Sequence, residues 1–278
     1  MSNLALRVIV AVVAIPLIVA ACYFGGPFFF LFTTILIVMS ANEFYALAHT
    51  KGIEPAAVLG ITSAGVLNAI VYAKGLGAAF EFILVVLVVV LLFELGRKRT
   101  QGITGVFSNA GTTITGIVYI GLFGAMLTAI RQRVDIRNVF PADREAGLFI
   151  ISILATIWIC DSAAYFVGKA IGRHKMSTFV SPNKSWEGAV AGFIFAVVTS
   201  VSARYIALPR LDIRIAVGLG IIVGAVGQAG DFVESLFKRD AGAKDSSSII
   251  PGHGGVFDRF DSLIFSAPVV YLLLRNLK

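Results

Sequence analysis

The chain has 278 residues, of which 58% are hydrophobic and 14% charged, and a mean hydropathy of +0.89, values that exclude an ordinary soluble domain. The formal net charge of +7 does not point to nucleic acid, because the basic residues sit mostly in short loops between apolar runs, where they orient spans and meet anionic headgroups. Spanning a hydrocarbon core takes roughly 20 helical residues, and lipid leaves no partner for an open backbone, so the fold expected is an all-α polytopic membrane bundle of about nine transmembrane helices.

The first apolar run covers about Leu4 to Phe24, with Arg7 near its start and Pro16 inside it. Its Val19-Ala20-Ala21-Cys22 stretch resembles a lipoprotein cleavage site, but further spans follow directly, so a retained helix is expected. Cys22 and Cys160 both lie in apolar runs. Two cysteines make neither a disulfide framework nor a zinc cluster, and packing is their expected role. Gly25-Gly26-Pro27 makes a turn. A second span then runs from about Phe28 to Ala48 and a third from about Pro55, a helix-starting proline, to Tyr72. The fourth, about Gly77 to Leu95, is the most lipid-like and ends in the basic cluster Arg97-Lys98-Arg99.

The fifth span, about Thr104 to Ile130, carries Gly105, Gly111, Gly116, Gly121 and Gly124 among threonines. Small residues let helices approach closely, so this helix is expected inside the protein. A solvated loop from Arg131 to Glu145 follows. The sixth span, about Ala146 to Ile171, holds Asp161 deep within it. An intramembrane carboxylate is expensive, which favours a site role for Asp161 over a helix–helix hydrogen bond. A loop with the segment Ser181-Pro182-Asn183-Lys184-Ser185-Trp186-Glu187-Gly188 leads to a seventh span, from about Gly188 to Leu208.

The eighth span, about Asp212 to Lys238, places Asp231, Glu234, Ser235 and Lys238 at spacing i, i+3, i+4, i+7, one helical face. A loop of about 18 residues follows, long enough to suggest function, and a short ninth span runs from about Asp261 to Leu277. Residues 1–100, with helices 1–4, read as scaffold or dimer contacts. Residues 101–278, with helices 5–9, read as the catalytic part of one integrated membrane domain. With a cytoplasmic amino terminus the basic residues show a weak bias of the expected sign, and both motif loops fall on the cytoplasmic face. At 1.5 Å per residue, Asp161 and Asp231 then lie about 15 and about 10 Å from that surface and can line one cavity.

Asp231 and Asp258 flank the glycine-rich loop, and such a pair can grip a divalent cation, with Asp261 as a ligand or a partner of Arg259. Gly252, Gly254 and Gly255 around His253 leave backbone amides open to an anion, the makings of a phosphate nest. Lys184, Lys238, Arg239, Lys244 and Arg259 are candidates to neutralise phosphate charge. Each feature taken singly also reads as a turn or a membrane anchor; their concentration in one segment does not.

Ser235 to Asp261 fits throughout the pattern S-x-hydrophobic-K-R-x4-K-D-x-small-x2-hydrophobic-P-x-H-G-G-hydrophobic-x-D-R-hydrophobic-D. With Gly230-Asp231, Glu234, the segment from Ser181 to Gly188 and Asp161 to Tyr165, it resembles the integral-membrane phosphatidate cytidylyltransferases, or CDP-diacylglycerol synthases. The specific motifs cover about the last 130 residues, and the first half is similar only in hydrophobicity. Ser185 stands where that family more often has threonine, and Ser247 where glycine is common.

The resemblance implies the reaction of CTP with phosphatidate to CDP-diacylglycerol and pyrophosphate, with Mg²⁺ and room for a second cation such as K⁺. It implies a bacterial-type inner membrane location with the site facing the cytoplasm and, together with the glycine-rich fifth helix, a homodimer. The phosphate of phosphatidate is already a nucleophile, which agrees with the lack of a convincing catalytic triad. Asp231 and Asp258 are expected to hold the metal, supported by Asp261 and Asp161. Ser181, Lys184, Lys238, Arg239, Lys244, Arg259 and the loop of His253, Gly254 and Gly255 are expected to meet substrate, His253 as a proton donor to pyrophosphate or as a strut. The rivals are a CTP-dependent lipid-alcohol kinase and, from another class, a cation-coupled transporter using Asp161 and Asp231 as a relay. A transporter should show repeated halves with broken helices, and no convincing repeat is found.

Overall fold

The computed structural model describes residues 3–97, 103–132, 139–140, 143–250 and 254–277, with side chains from residue 8 onward. Lys98, Arg99, most of the loop after Arg131, and His253 therefore lie outside the described residues. Nine continuous helices occur among those described: α1 (Asn3–Phe24), α2 (Gly26–Thr50), α3 (Ala57–Lys74), α4 (Leu76–Gly96), α5 (Val106–Arg131), α6 (Asp143–Ile171), α7 (Trp186–Ile206), α8 (Ile213–Asp240) and α9 (Phe257–Asn276). Seven of them, α2 to α8, are long and apolar enough to cross a membrane. The chain is an all-α multi-pass membrane protein.

The short connections follow from local chemistry. Gly25, at φ 65°, caps α2, and Pro27 stands in that helix's first turn, where its missing N–H has no partner to lose. The third helix starts at Ala57 rather than at Pro55, with Ala56 as its cap. Ahead of α8, Asp212 caps by accepting from the Arg214 amide at 2.8 Å.

Burial sorts the helices. Among the seven membrane-length helices, α4 and α7 are the least buried and α5 the most, as the small residues of α5 require. Its middle, Gly116–Leu122, widens into a π-helical stretch. The Tyr45 hydroxyl donates to Thr113 O at 2.8 Å beside it. A Cβ on Gly116 would stand 2.4 Å from that hydroxyl, so glycine is required there. Further along α5, Gly121 packs against Ala64 and Gly124 against Ile37. Gly116, Gly121 and Gly124 are thus occupied within the chain, whereas a Cβ on Gly111 would meet nothing.

Helix α5 packs against α2 and α3 and also against α9. One continuous apolar core runs through both halves, from Phe29 and Ile37 to Ile264 and Val270. The polar α9 is enclosed by this core, which is why it is less apolar than the helices that face lipid. Two buried polar groups tie the amino-terminal helices in place. Arg131, 1% exposed, donates to Asp143 at 2.8 and 3.0 Å and to the carbonyls of Cys22 and Tyr23 at 2.7 and 2.9 Å. Asn68 bridges Thr33, Thr34 and Thr128. Cys22 and Cys160 are free and buried, in packing positions.

One departure from an all-helical chain lies between α6 and α7, where the expected loop forms a two-stranded antiparallel hairpin, β1 (Lys175–Ser177) and β2 (Ser181–Ser185), pairing Lys175 with Ser185 and Ser177 with Ser181. Pro182 is tolerated because a two-stranded sheet consists only of edges. The Ser185 side chain then accepts from the Gly188 amide at 3.2 Å and starts α7 at Trp186, before the expected Gly188.

Candidate active site

A cavity of about 910 Å³ opens among α6, the hairpin, α8 and the start of α9. Helix α6 supplies Asp161, accessible on the cavity wall, ten residues before the helix ends at Ile171. The hairpin supplies Ser181 and Lys184. From α8 come Asp231, Glu234 and Lys238, and from α9 Asp258, Arg259 and Asp261. Asp161 and Asp231 therefore share one cavity, consistent with their similar depth in the sequence.

The local geometry of α8 aims its carboxylates. Immediately before them, Val223–Gly227 is π-helical, and the Gln228 amide group donates back to Gly224 O and across to Ala189 O at 3.1 Å. Such widenings of a helix recur at functional sites because they rotate the residues that follow. Asp231 then faces Lys184, an ion pair made across elements, while Lys184 also lies over the Phe232 ring at 4.4 Å. One turn on, the fully buried Glu234 pairs with Lys238 at 2.6 Å.

Three carboxylates, Asp231, Glu234 and Asp261, bring ligand atoms within 4.8 Å of one another. Glu234 and Asp261 are buried, and neither Glu234 oxygen takes part in a hydrogen bond; Lys238 reaches it only as an ion pair. Carboxylates this close repel unless a positive charge lies between them. A hard cation with oxygen ligands suits this donor set, and Mg²⁺ suits it through two carboxylates and otherwise water and phosphate.

Asp258 stands differently. Its Oδ1 accepts from Lys238 Nζ at 2.6 Å. Its Oδ2 accepts from the Ser246 amide at 2.9 Å and the Gly255 amide at 2.7 Å, and the Ser246 hydroxyl, whose one proton goes to Glu43 of α2 at 2.8 Å, stands 3.0 Å away. Because α9 begins at Phe257, earlier than the sequence pattern suggests, Asp258 sits in its first turn and holds the preceding loop. Three N–H donors, one of them the Lys238 ammonium, occupy both oxygens of this carboxylate, which leaves it little capacity for a metal.

The same observation bears on the glycine loop. Gly254 adopts φ 81° and pairs with Ile250 through a bridge, and the Gly255 amide is taken by the chain's own anion, Asp258; Gly252 lies outside the described residues. Arg239 donates to the carbonyls of Val180 and Ala243 at 3.3 and 3.0 Å, tying the end of α8 to the hairpin. Arg239 and the exposed Lys244 do not line the cavity as Lys184, Lys238 and Arg259 do. His253 lies outside the described residues.

Sequence reasoning left two participants without a role. Glu234 was visible only as part of the α8 stripe. Glu43, on α2, is 1% exposed and accepts four hydrogen bonds from the catalytic loop and the start of α9. The available signal was a carboxylate within an apolar run, the same signal that singled out Asp161.

The model of the cytidylyltransferase family matches residues 5–277. A protein of Staphylococcus aureus (strain COL) named phosphatidate cytidylyltransferase is 30% identical over 275 residues, covering 96% of this chain and 98% of its own. One of that name from Synechocystis is 32% identical over 285 residues, covering 95% and 94%. A third, from Bacillus subtilis (strain 168), is 36% identical over 171 residues, covering 62% and 60%.

Proposed function

We propose a reaction for this chain, which belongs to the cytidylyltransferase family: CTP and phosphatidate are converted to CDP-diacylglycerol and pyrophosphate, a step of phospholipid biosynthesis. The observation that carries this reading is the gathering of Asp231, Glu234 and Asp261 with Lys184, Lys238 and Arg259 around one cavity between membrane helices. A phosphate oxygen of phosphatidate forms the new bond to the α-phosphorus of CTP. The bond from that phosphorus to the bridging oxygen breaks, and pyrophosphate leaves with the electron pair. The nucleophile is already an anion, so the protein's task is to bring two polyanions together and lessen their repulsion.

The residues divide that work. Lys184 and Arg259 face the cavity and receive phosphate oxygens. Lys238, held between Glu234 and Asp258, keeps a fixed positive charge at the cavity wall. Asp231 and Asp261, with Glu234 behind them, would hold Mg²⁺, while Asp258 organises Lys238 and the loop. Bound there, the cation supplies charge neutralisation at the phosphates and a template for their alignment. Asp161 and Ser181 face the substrate from the opposite wall. We place the site at the cytoplasmic face of a bacterial inner membrane, where CTP is available and where the weak bias of basic residues points.

The test uses the purified full-length protein in detergent. Pyrophosphate release should require CTP, phosphatidate and Mg²⁺ together and should stop with EDTA. Release of CDP in place of pyrophosphate would instead identify a lipid kinase and sink the reading.

A further inference from the structure

The geometry points to Glu43, in the amino-terminal half, as the positioning residue that holds Ser246, Ser247 and the start of α9, and through them Asp258 and Lys238, in place for nucleotide binding. This inference rests on the reaction proposed above. Glu43 projects from α2, more than 200 positions from the groups it binds. Its Oε1 accepts from the Ser247 hydroxyl at 2.7 Å and the Val256 amide at 3.0 Å. Its Oε2 accepts from the Ser246 hydroxyl at 2.8 Å and the Phe257 amide at 2.8 Å. Each oxygen thus meets two donors, the full complement of a carboxylate.

Two of these donors are amides at the start of α9, groups that have no acceptor within their own helix. No side chain of the α9 cap position serves them. Glu43 therefore caps α9 from another helix, and its charge is favourable at that end of the helix dipole. The other two donors lie further back in the loop. One carboxylate accordingly joins the middle of the loop, residues 246–247, to its end at residues 256–257.

The connection continues to the cavity. The Ser246 hydroxyl lies between Glu43 Oε2, at 2.8 Å, and Asp258 Oδ2, at 3.0 Å. Asp258 in turn holds Lys238, which pairs with Glu234 beside Asp231 and Asp261. There is no room for error in this arrangement: a Cβ on Gly255 would come 2.0 Å from the Ser246 hydroxyl and 2.3 Å from Glu43. Glu43 itself does not line the cavity, so it acts through the loop rather than on substrate.

Glu43→Gln keeps the size of the side chain but replaces one acceptor oxygen by an NH₂ group, which faces donors in either orientation. The purified full-length variant should show a KM for CTP raised about tenfold, from the loss of one or two of the hydrogen bonds that hold residues 246–247 and 256–257. The KM for phosphatidate should stay within twofold, since the Asp258–Lys238 pair that Glu43 braces is assigned to the nucleotide. Trypsin should cleave after Lys244 at least about five times faster. A generally weakened fold would lower kcat with the fraction of active protein and leave this ratio of KM values alone.

A folded Glu43→Gln protein whose KM for CTP stays within twofold of the wild type overturns the inference, whether or not trypsin cleavage accelerates. If that variant does not fold, Ser247→Gly decides. It removes one of the four bonds and should raise the KM for CTP about threefold, and an unchanged value overturns the inference. Lack of turnover by the wild-type protein would refute the proposed reaction instead. The trypsin comparison would then still decide whether Glu43 holds the loop, equal cleavage rates refuting it.

Discussion

Replacing Asp258 by asparagine separates two roles that the sequence does not distinguish, metal ligand and loop anchor. The change preserves shape and leaves one acceptor oxygen. If that oxygen faces Lys238, the NH₂ group confronts the Ser246 and Gly255 amides, now 2.9 and 2.7 Å away. If it faces the amides, the NH₂ group confronts the Lys238 ammonium at 2.6 Å. At least one charge-assisted interaction is lost in either case, worth about 1.5–3 kcal/mol. The site is shielded, with side-chain exposures of 5% for Asp258, 12% for Lys238 and 0% for Glu234, so water replaces little of that loss. At tenfold for every 1.4 kcal/mol, kcat/KM for CTP should fall by about 10- to 100-fold. Initial rates over a range of CTP and Mg²⁺ concentrations measure this, with trypsin cleavage after Lys244 reporting the loop. The anchor role requires faster cleavage and a half-saturating Mg²⁺ concentration within about threefold of the wild type. A tenfold rise in the Mg²⁺ requirement with unchanged cleavage would refute the reasoning and return Asp258 to the metal.

Asp231→Asn and Asp261→Asn should each lower turnover by at least about 100-fold and raise the Mg²⁺ requirement while the protein still purifies as a folded species; activity within threefold of the wild type would remove that residue from the proposed cation site. Arg131→Met leaves the buried Cys22 and Tyr23 carbonyls without their shared donor, while Asp143, more than half exposed, is met by solvent, so the loss should be about 1–3 kcal/mol, read as a lower melting temperature in detergent. Tyr45→Phe removes only the hydrogen bond to Thr113 O and should cost about 1 kcal/mol, a smaller shift in the same assay.

Much of the site was legible because helical periodicity carries information about faces. Asp231, Glu234 and Lys238 stand at helix spacing within an otherwise apolar run, and the structure aligns them along one wall of the cavity. Asp161 was legible because a carboxylate in a membrane span needs a reason to be there. The partners of Asp258 were not, since they depend on how residues 246 and 255 fold back, which spacing does not encode. The hairpin was hidden as well: Pro182 argues against a strand unless the sheet has only edges. Glu43 lay in a segment without a motif, and its partners are brought to it by the packing of α2 against α9. The long separation in sequence is the physical reason it escaped notice.

The central claim is that the nucleotide's α-phosphate, not its γ-phosphate, is joined to the lipid. The most direct measurement incubates purified protein, Mg²⁺ and phosphatidate with CTP radiolabelled at one position or the other and extracts the lipid. Label from the α-position should enter the lipid in proportion to pyrophosphate released, and label from the γ-position should remain in the aqueous phase. Transfer of γ-label to lipid, with CDP as the second product, would contradict the account.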